Sequence, residues 1–133
     1  MSKIPSAITE PVENYEWPDR LEAVTAAPDS HIVLHEDEEM RVLLVCVPPK
    51  TKEPIHTHKW PSVMIVEDGG KNCLETFTLE GDGRLESVSK IEVPIPEKLP
   101  FAFRLPPEVP HSFENMEDRP FRAVRVEFKR GDF

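Results

Sequence analysis

His56-Thr57-His58, and the later run Pro106-Pro107-Glu108-Val109-Pro110-His111-Ser112-Phe113-Glu114-Asn115 with His111 fifty-three positions beyond His58, decide how this chain reads. Successive side chains on a β-strand point to opposite faces, so residues at i and i+2 share one. His56 and His58 can therefore aim both imidazoles at one point. A third nitrogen must come from elsewhere, and His111 lies far enough along the chain to sit on a different strand and close over the same point. Three protein nitrogens with positions left open describe a catalytic metal site, since a closed structural zinc site normally uses four protein ligands, usually including cysteine. A His-x-His pair alone would be only the wet-face pattern of an antiparallel sheet.

Working outward, the rest of the chain is strand after strand. Alternating or β-branched runs occupy 31–35, 40–47, 62–66, 72–79, 84–89, 101–105, 109–113 and 121–128, with the histidine pair on a further short strand. Glu36-Asp37-Glu38-Glu39 reads as a solvated hairpin turn rather than a metal site. Gly81-Asp82-Gly83 reads as another turn, because glycine accepts positive φ. No segment keeps a helical period beyond a brief turn around 19–26. In the last strand Val124, Val126 and Phe128 alternate against charged Arg122, Arg125 and Glu127 nearby, and a solvent-facing side chain is the ordinary reading of Arg125. Many short strands with no helix to cover a sheet edge point to a closed barrel or a two-sheet jelly roll.

At this point the chain resembles the cupin superfamily. The first family motif reads Gly, five residues, His-x-His, three or four residues, Glu, six residues, Gly. The segment Lys50, 51–55, His56-Thr57-His58, Lys59-Trp60-Pro61, Ser62, 63–68, Gly69 keeps that spacing. The second motif reads Gly, five residues, Pro-x-Gly, two residues, His, three residues, Asn; Pro100, 101–105, Pro106-Pro107-Glu108, 109–110, His111, 112–114, Asn115 keeps it again. The resemblance covers roughly 42–128 and implies an all-β cupin-type β-barrel or double-stranded jelly roll. It also implies His56, His58 and His111 as ligands of one divalent transition metal ion, iron(II) before zinc, nickel or manganese. Asn115 would hold its turn through side-chain to backbone hydrogen bonds.

The departures carry chemistry. Lys50, Pro100 and Glu108 stand where the motifs have glycine, which affects the local turns. Ser62 stands where they have the glutamate ligand, so the expected set is three neutral imidazoles and no carboxylate. Such a site leaves the dipositive charge uncompensated and favours an anionic or chelating ligand. The alternative is that losing the glutamate marks loss of the metal, but all three histidines remain. Three-histidine sites resembling this one occur among cupin dioxygenases. The expected function is accordingly a metal-binding cupin, a mononuclear non-heme iron(II) dioxygenase acting on a small organic anion. A non-catalytic ligand-binding cupin and a metal-dependent isomerase are the alternatives. No catalytic acid, base or nucleophile is evident.

Ser62, Trp60, Arg104 and Arg125 are the candidates to line the cavity, either arginine being able to meet a substrate carboxylate. A second histidine pair, His31 and His35, has matching parity but no motif to support it. With 133 residues, 38% hydrophobic and 31% charged, the chain suits one core: a single barrel over 31–133 behind an arm over 1–30. Fifteen prolines argue for short strands and rigid turns. A formal charge of −9 without a basic cluster excludes nucleic acid as an expected partner. Neither a leader nor a membrane-length apolar run is evident, so no membrane partner and a cytoplasmic location are expected. Cys46 and Cys73 are read as reduced, buried thiols. The partners expected are a small molecule and a second copy, the arm helping to close a homodimer.

Overall fold

The computed structural model describes residues 15–130; the first half of the expected arm lies outside them. The strands are β1 (His31–Glu36), β2 (Met40–Val47), β3 (Thr51–Lys52), β4 (His56–His58), β5 (Ser62–Asp68), β6 (Asn72–Leu79), β7 (Leu85–Ile91), β8 (Phe101–Leu105), β9 (Glu108–Asn115) and β10 (Phe121–Phe128). They pair antiparallel into two sheets, β1-β2-β10-β5-β8 and β3-β9-β6-β7, with β4 attached to β9. The all-β jelly roll expected from the strand pattern is the fold that forms. Strands β5 and β9 run past their expected ends because their partners continue: Asp68 still pairs with Arg122, and Asn115 with both Thr51 and Asn72.

Register explains what lies inside. Leu43, Val45 and Val47 of β2 face Ala123 and Phe121 of β10 and Val66 of β5, forming a buried core to which Phe103 and Phe113 add. Each such side chain contributes roughly 1.5–3 kcal/mol on leaving water. The same inward parity carries charge at one end: Arg41, Glu127, Ser62 and Leu105 stand opposite one another across β2, β10, β5 and β8. The solvent-facing reading of Arg125 is therefore corrected. Arg125 and Glu127 point inward with Phe121 and Ala123, while Val124 and Val126 are half-buried on the outer face. Period-2 alternation gives parity but not which parity is inside.

A bulge decides the two amino-terminal histidines. Pairing of β1 with β2 shifts between Val33 and His35, so Leu34 is an extra residue and the parity flips. His31 is buried, whereas His35 is exposed and bonded to Asp37. Asp37 also accepts from the backbone N–H groups of Glu39 and Met40, making the acidic run the turn its composition suggested. Lys50, in place of a motif glycine, adopts the left-handed φ of 53° that glycine would favour. Asn115 bonds to the carbonyls of Val47, Pro48 and Arg119 and accepts from Glu117 N–H, tying the turn as its motif position implied. Cys46 and Cys73 are free and half-buried rather than buried.

Residues 15–30 lie against the barrel. A 3₁₀ turn (Asp19–Leu21) and the four-residue α1 (Ala23–Ala26) bury Leu21 and Ala23. Glu22 bridges to Thr57, whose hydroxyl meets that of Tyr15 at 2.5 Å, so the arm covers the back of β4. Glu22 is also held by Arg41 Nη1 and Nη2 at 2.9 and 2.8 Å, while Arg41 Nε donates to Glu127 at 2.6 Å. Arg41→Ala would strand two buried carboxylates and should lower stability by about 3–5 kcal/mol in denaturant unfolding. A loss below about 1 kcal/mol would mean the arm is not tied down through this contact.

Candidate metal centre

Strand β4 is buried along its whole length, and its short run pairs His56 directly with His111 of β9. The ring centroids of His56 and His111 are 4.4 Å apart, those of His56 and His58 5.1 Å, and those of His58 and His111 5.5 Å. The structure thus gathers the three histidines of the two motifs into one cluster. It adds a fourth: His31 lies 4.6 Å from His56 and 5.2 Å from His58 by centroid. One ligand atom from each of His31, His56 and His58 lies within 4.8 Å of the others, and the same holds for His58, Glu108 and His111. His58 belongs to both sets.

Each ring is fixed by its Nδ1. His56 Nδ1 donates to Pro54 O at 2.8 Å and His111 Nδ1 to Val109 O at 2.7 Å, in both cases a carbonyl two residues earlier. His31 Nδ1 donates to Ala27 O at 3.1 Å, and His58 Nδ1 faces the Glu127 carboxylate at 3.2 Å. A carbonyl oxygen can only accept, so Nδ1 carries the proton and the neutral ring keeps its lone pair on Nε2. Carbonyl or carboxylate partners on the non-ligating nitrogen are the arrangement that orients imidazoles toward a metal. Burial reinforces it. The pKa of His31 is pushed down to about 3, and those of His56 and His58 well below the ordinary value, all chiefly by desolvation. His31 and His56, protonated at Nδ1 and held neutral by burial, keep buried Nε2 lone pairs that fit a shared cation.

Two carboxylates that the motif spacing does not point to stand beside the histidines. Glu108 Oε2 lies 3.4 Å from His111 Nε2, and Glu53 Oε1 lies 3.6 Å from His56 Nε2. Glu108 occupies a motif glycine position, where a search for ligands at ligand positions does not look. Glu53 precedes β4 and is bonded by Ser30 Oγ at 2.8 Å. Their environments differ. Burial pushes Glu53 up to about 8. Burial also acts to raise Glu108, but the Arg125 guanidinium works against it and the carboxyl is held below its usual value.

These groups form the polar end of a cavity of about 70 Å³, whose other walls include Val45, Met64, Val66, Phe103 and Phe121. By the measure in which one water needs about 10–15 Å³, this is room for a small molecule of several atoms. Of the four expected lining residues only Arg125 is there. Ser62 is fully buried beside Glu127 and Leu105, one row behind the cavity, with its hydroxyl unpartnered. Trp60 packs under the cations of Arg41, Lys59 and Lys129. Arg104 is exposed on the outer parity of β8. His31, Glu53 and Glu108 were not expected as site residues; the sequence signal for His31 was its matching parity with His35, which the bulge after Val33 breaks.

No protein-family model matches the chain, and no curated protein matches its sequence. Among solved structures, a cupin domain from Bordetella pertussis Tohama I superposes with a TM-score of 0.56 at 24% identity, over 74% of this chain and 91% of that one. The cupin domain of Schizosaccharomyces pombe Cnp3 gives a TM-score of 0.48 at 13% identity, over 74% of this chain and 59% of that one. An oxalate oxidase gives 0.45 at 18%, over 69% and 43%. At these identities the likeness is one of fold.

The shifted groups set the pH response of the metal-free protein. Unfolded histidines titrate near 6.5, so below that pH the unfolded chain binds protons that His31, His56 and His58 refuse in the fold. Their contribution is full above 6.5 and falls as the pH drops toward 3, by about 1.4 kcal/mol per unit for each ring. Glu53 acts oppositely: its contribution is full below 4.5 and is lost as the pH rises to about 8. Three rings outweigh it on the acid side, and on the alkaline side it acts together with Glu127, whose carboxyl burial also pushes up. The Tm of metal-free protein should therefore peak near pH 6.5 and fall in both directions between pH 5 and 8.5; a Tm that rises on acidification would show that the rings are not buried in neutral form.

Proposed function

Taking the cupin fold of this chain as the premise, we propose that it binds one divalent transition metal through the histidine cluster and is a mononuclear non-heme iron(II) dioxygenase for a small anionic or chelating organic substrate. The observation that carries this reading is the set of buried imidazoles, each fixed at Nδ1 by a backbone carbonyl or a carboxylate, at the polar end of an apolar cavity. His58 is central because it is common to all three groups of residues placed to hold an ion: one with His31 and the motif histidine His56, one with Glu108 and the motif histidine His111, and one with Glu22 and Glu127. A bound iron(II) would supply redox chemistry with dioxygen that no side chain of this chain can supply.

The protein's own part is binding, orientation and exclusion of water. Glu127, itself held by Arg41, fixes His58. Apolar walls from both sheets surround the substrate position and strengthen every charge interaction there. Glu53 holds a proton near neutral pH next to His56, which also supports the alternative of a metal-dependent isomerase, since such a group can exchange a proton with a substrate carbon.

Protein purified without a histidine tag after metal-replete growth should carry about one divalent ion per chain, and His58→Ala should remove most of it. Iron-loaded protein should consume oxygen with at least one member of a panel of diketones, thiols and aromatic acids. Metal retention with no oxygen uptake would favour a non-catalytic binding cupin, and deuterium exchange into a candidate without oxygen uptake the isomerase. Absence of metal would remove the basis of the dioxygenase and of the isomerase.

The homodimer belongs to the same proposal. Ile32, Leu44, Val124, Ile65 and Ala102 stand opposite one another in a single row across the outer face of the five-stranded sheet, and Ile32 is 47% exposed. An apolar row spanning five strands supports a second copy packed face to face. Val124→Glu should halve the mass seen by light scattering; a mass already equal to one chain in the unmodified protein would dismiss the dimer.

A further inference from the structure

Arg125 is more deeply buried than a lone arginine tolerates, at 3% exposure, and it lines the cavity beside the histidine cluster. A guanidinium presents its N–H donors in a rigid planar fork, of which Nε and one terminal nitrogen form an edge suited to two oxygens. Glu108 takes Nη2, while Nε is buried and has no acceptor. A buried donor left unmet costs about 1–3 kcal/mol, more when it is charged, so such a group in a cavity wall calls for an oxygen that the chain does not provide. The neighbours of Arg125 across the sheet, Leu43 and Met64, cannot supply one.

Charge and shape narrow the ligand. Glu108 already pairs with Arg125, so a divalent ion held by imidazoles would leave the cavity with an excess of positive charge. The rest of the wall is apolar: Val45, Met64, Val66, Leu74, Phe103 and Phe113. The space of about 70 Å³ admits a body of only a few non-hydrogen atoms. We propose that Arg125 Nε binds a carboxylate oxygen of a small monocarboxylic acid, whose apolar body fills the cavity and whose other end faces the histidine cluster. The inference names the substrate class of the site and rests on its reading as a ligand-binding metal centre. Glu108 is the positioning residue, holding Nη2 so that Nε is left without an acceptor in the chain.

The test follows the Nε–H signal of Arg125 in ¹³C,¹⁵N-labelled full-length protein, assigned by through-bond correlation along its own side chain. Samples with and without one equivalent of zinc(II) are titrated with 2-methylpropanoate and, separately, with its neutral amide. The acid should move the Nε–H signal at a concentration at least tenfold below that at which the amide does, and Arg125→Lys should weaken binding of the acid, read by calorimetry, at least tenfold. Should that variant fail to fold, the assigned signal in the unmodified protein still decides. No movement with acid in either sample, or equal response to acid and amide, overturns the proposal. If zinc fails to bind while the acid still moves the signal, the metal reading falls and the carboxylate site stands. If zinc binds and the signal does not respond, the carboxylate site falls alone.

Discussion

Arg41 holds two buried carboxylates at once, Glu22 of the amino-terminal arm and Glu127 of β10, and Glu127 in turn faces Nδ1 of His58. Burial works against the guanidinium's charge, yet its bonds to Glu22 and Glu127 hold its pKa above the ordinary value. The three groups satisfy one another in a place where none could remain charged alone. Fold and site therefore share one contact. The arm covers β4 because Glu22 is bound, and His58 keeps its orientation because Glu127 is bound. A buried ion pair is seldom the most stabilising filling for a core, so its use here is best understood as fixing geometry: an apolar row in its place could not orient an imidazole.

The row that contains this contact also accounts for the missing motif glutamate. Ser62 is the cross-strand neighbour of Glu127. A longer acid at 62 would meet Glu127 in a dry interior, and like charges so placed cannot both ionise. Carboxylates reach the cluster from other directions instead, Glu108 from the start of β9 and Glu53 from the segment before β4. The two are held in opposite protonation tendencies by their surroundings, Glu108 low beside Arg125 and Glu53 high through burial. The result is an acid able to give up a proton and a charged fork in the same small cavity.

Much of the fold was legible because strand alternation and two motif spacings point the same way, and both survive local substitutions such as Lys50 in its left-handed turn. The histidines of those motifs were legible for the same reason. What was not legible depends on contacts between distant strands. The side of β10 that faces inward follows from Arg125 meeting Glu108 and Glu127 meeting Arg41, neither visible in the local pattern. His31 joins the cluster, and His35 leaves it, through a bulge that shifts parity within a single short strand. Trp60 adjoins His58 closely in sequence yet packs against cations on another side, since a turn after β4 carries it away from the cavity.

The central claim is that the imidazoles are set, before any ion arrives, as Nδ1–H tautomers with Nε2 free for a metal. Long-range ¹H–¹⁵N correlation of the histidine rings in metal-free protein at pH 7, repeated with one equivalent of zinc(II), tests it most directly. The account predicts Nδ1–H tautomers for His31, His56, His58 and His111, with the Nε2 resonances of at least three of the cluster's rings, His58 among them, displaced by the metal and their Nδ1 protons retained. Nε2–H tautomers in the metal-free protein, or rings unmoved by zinc, would contradict it.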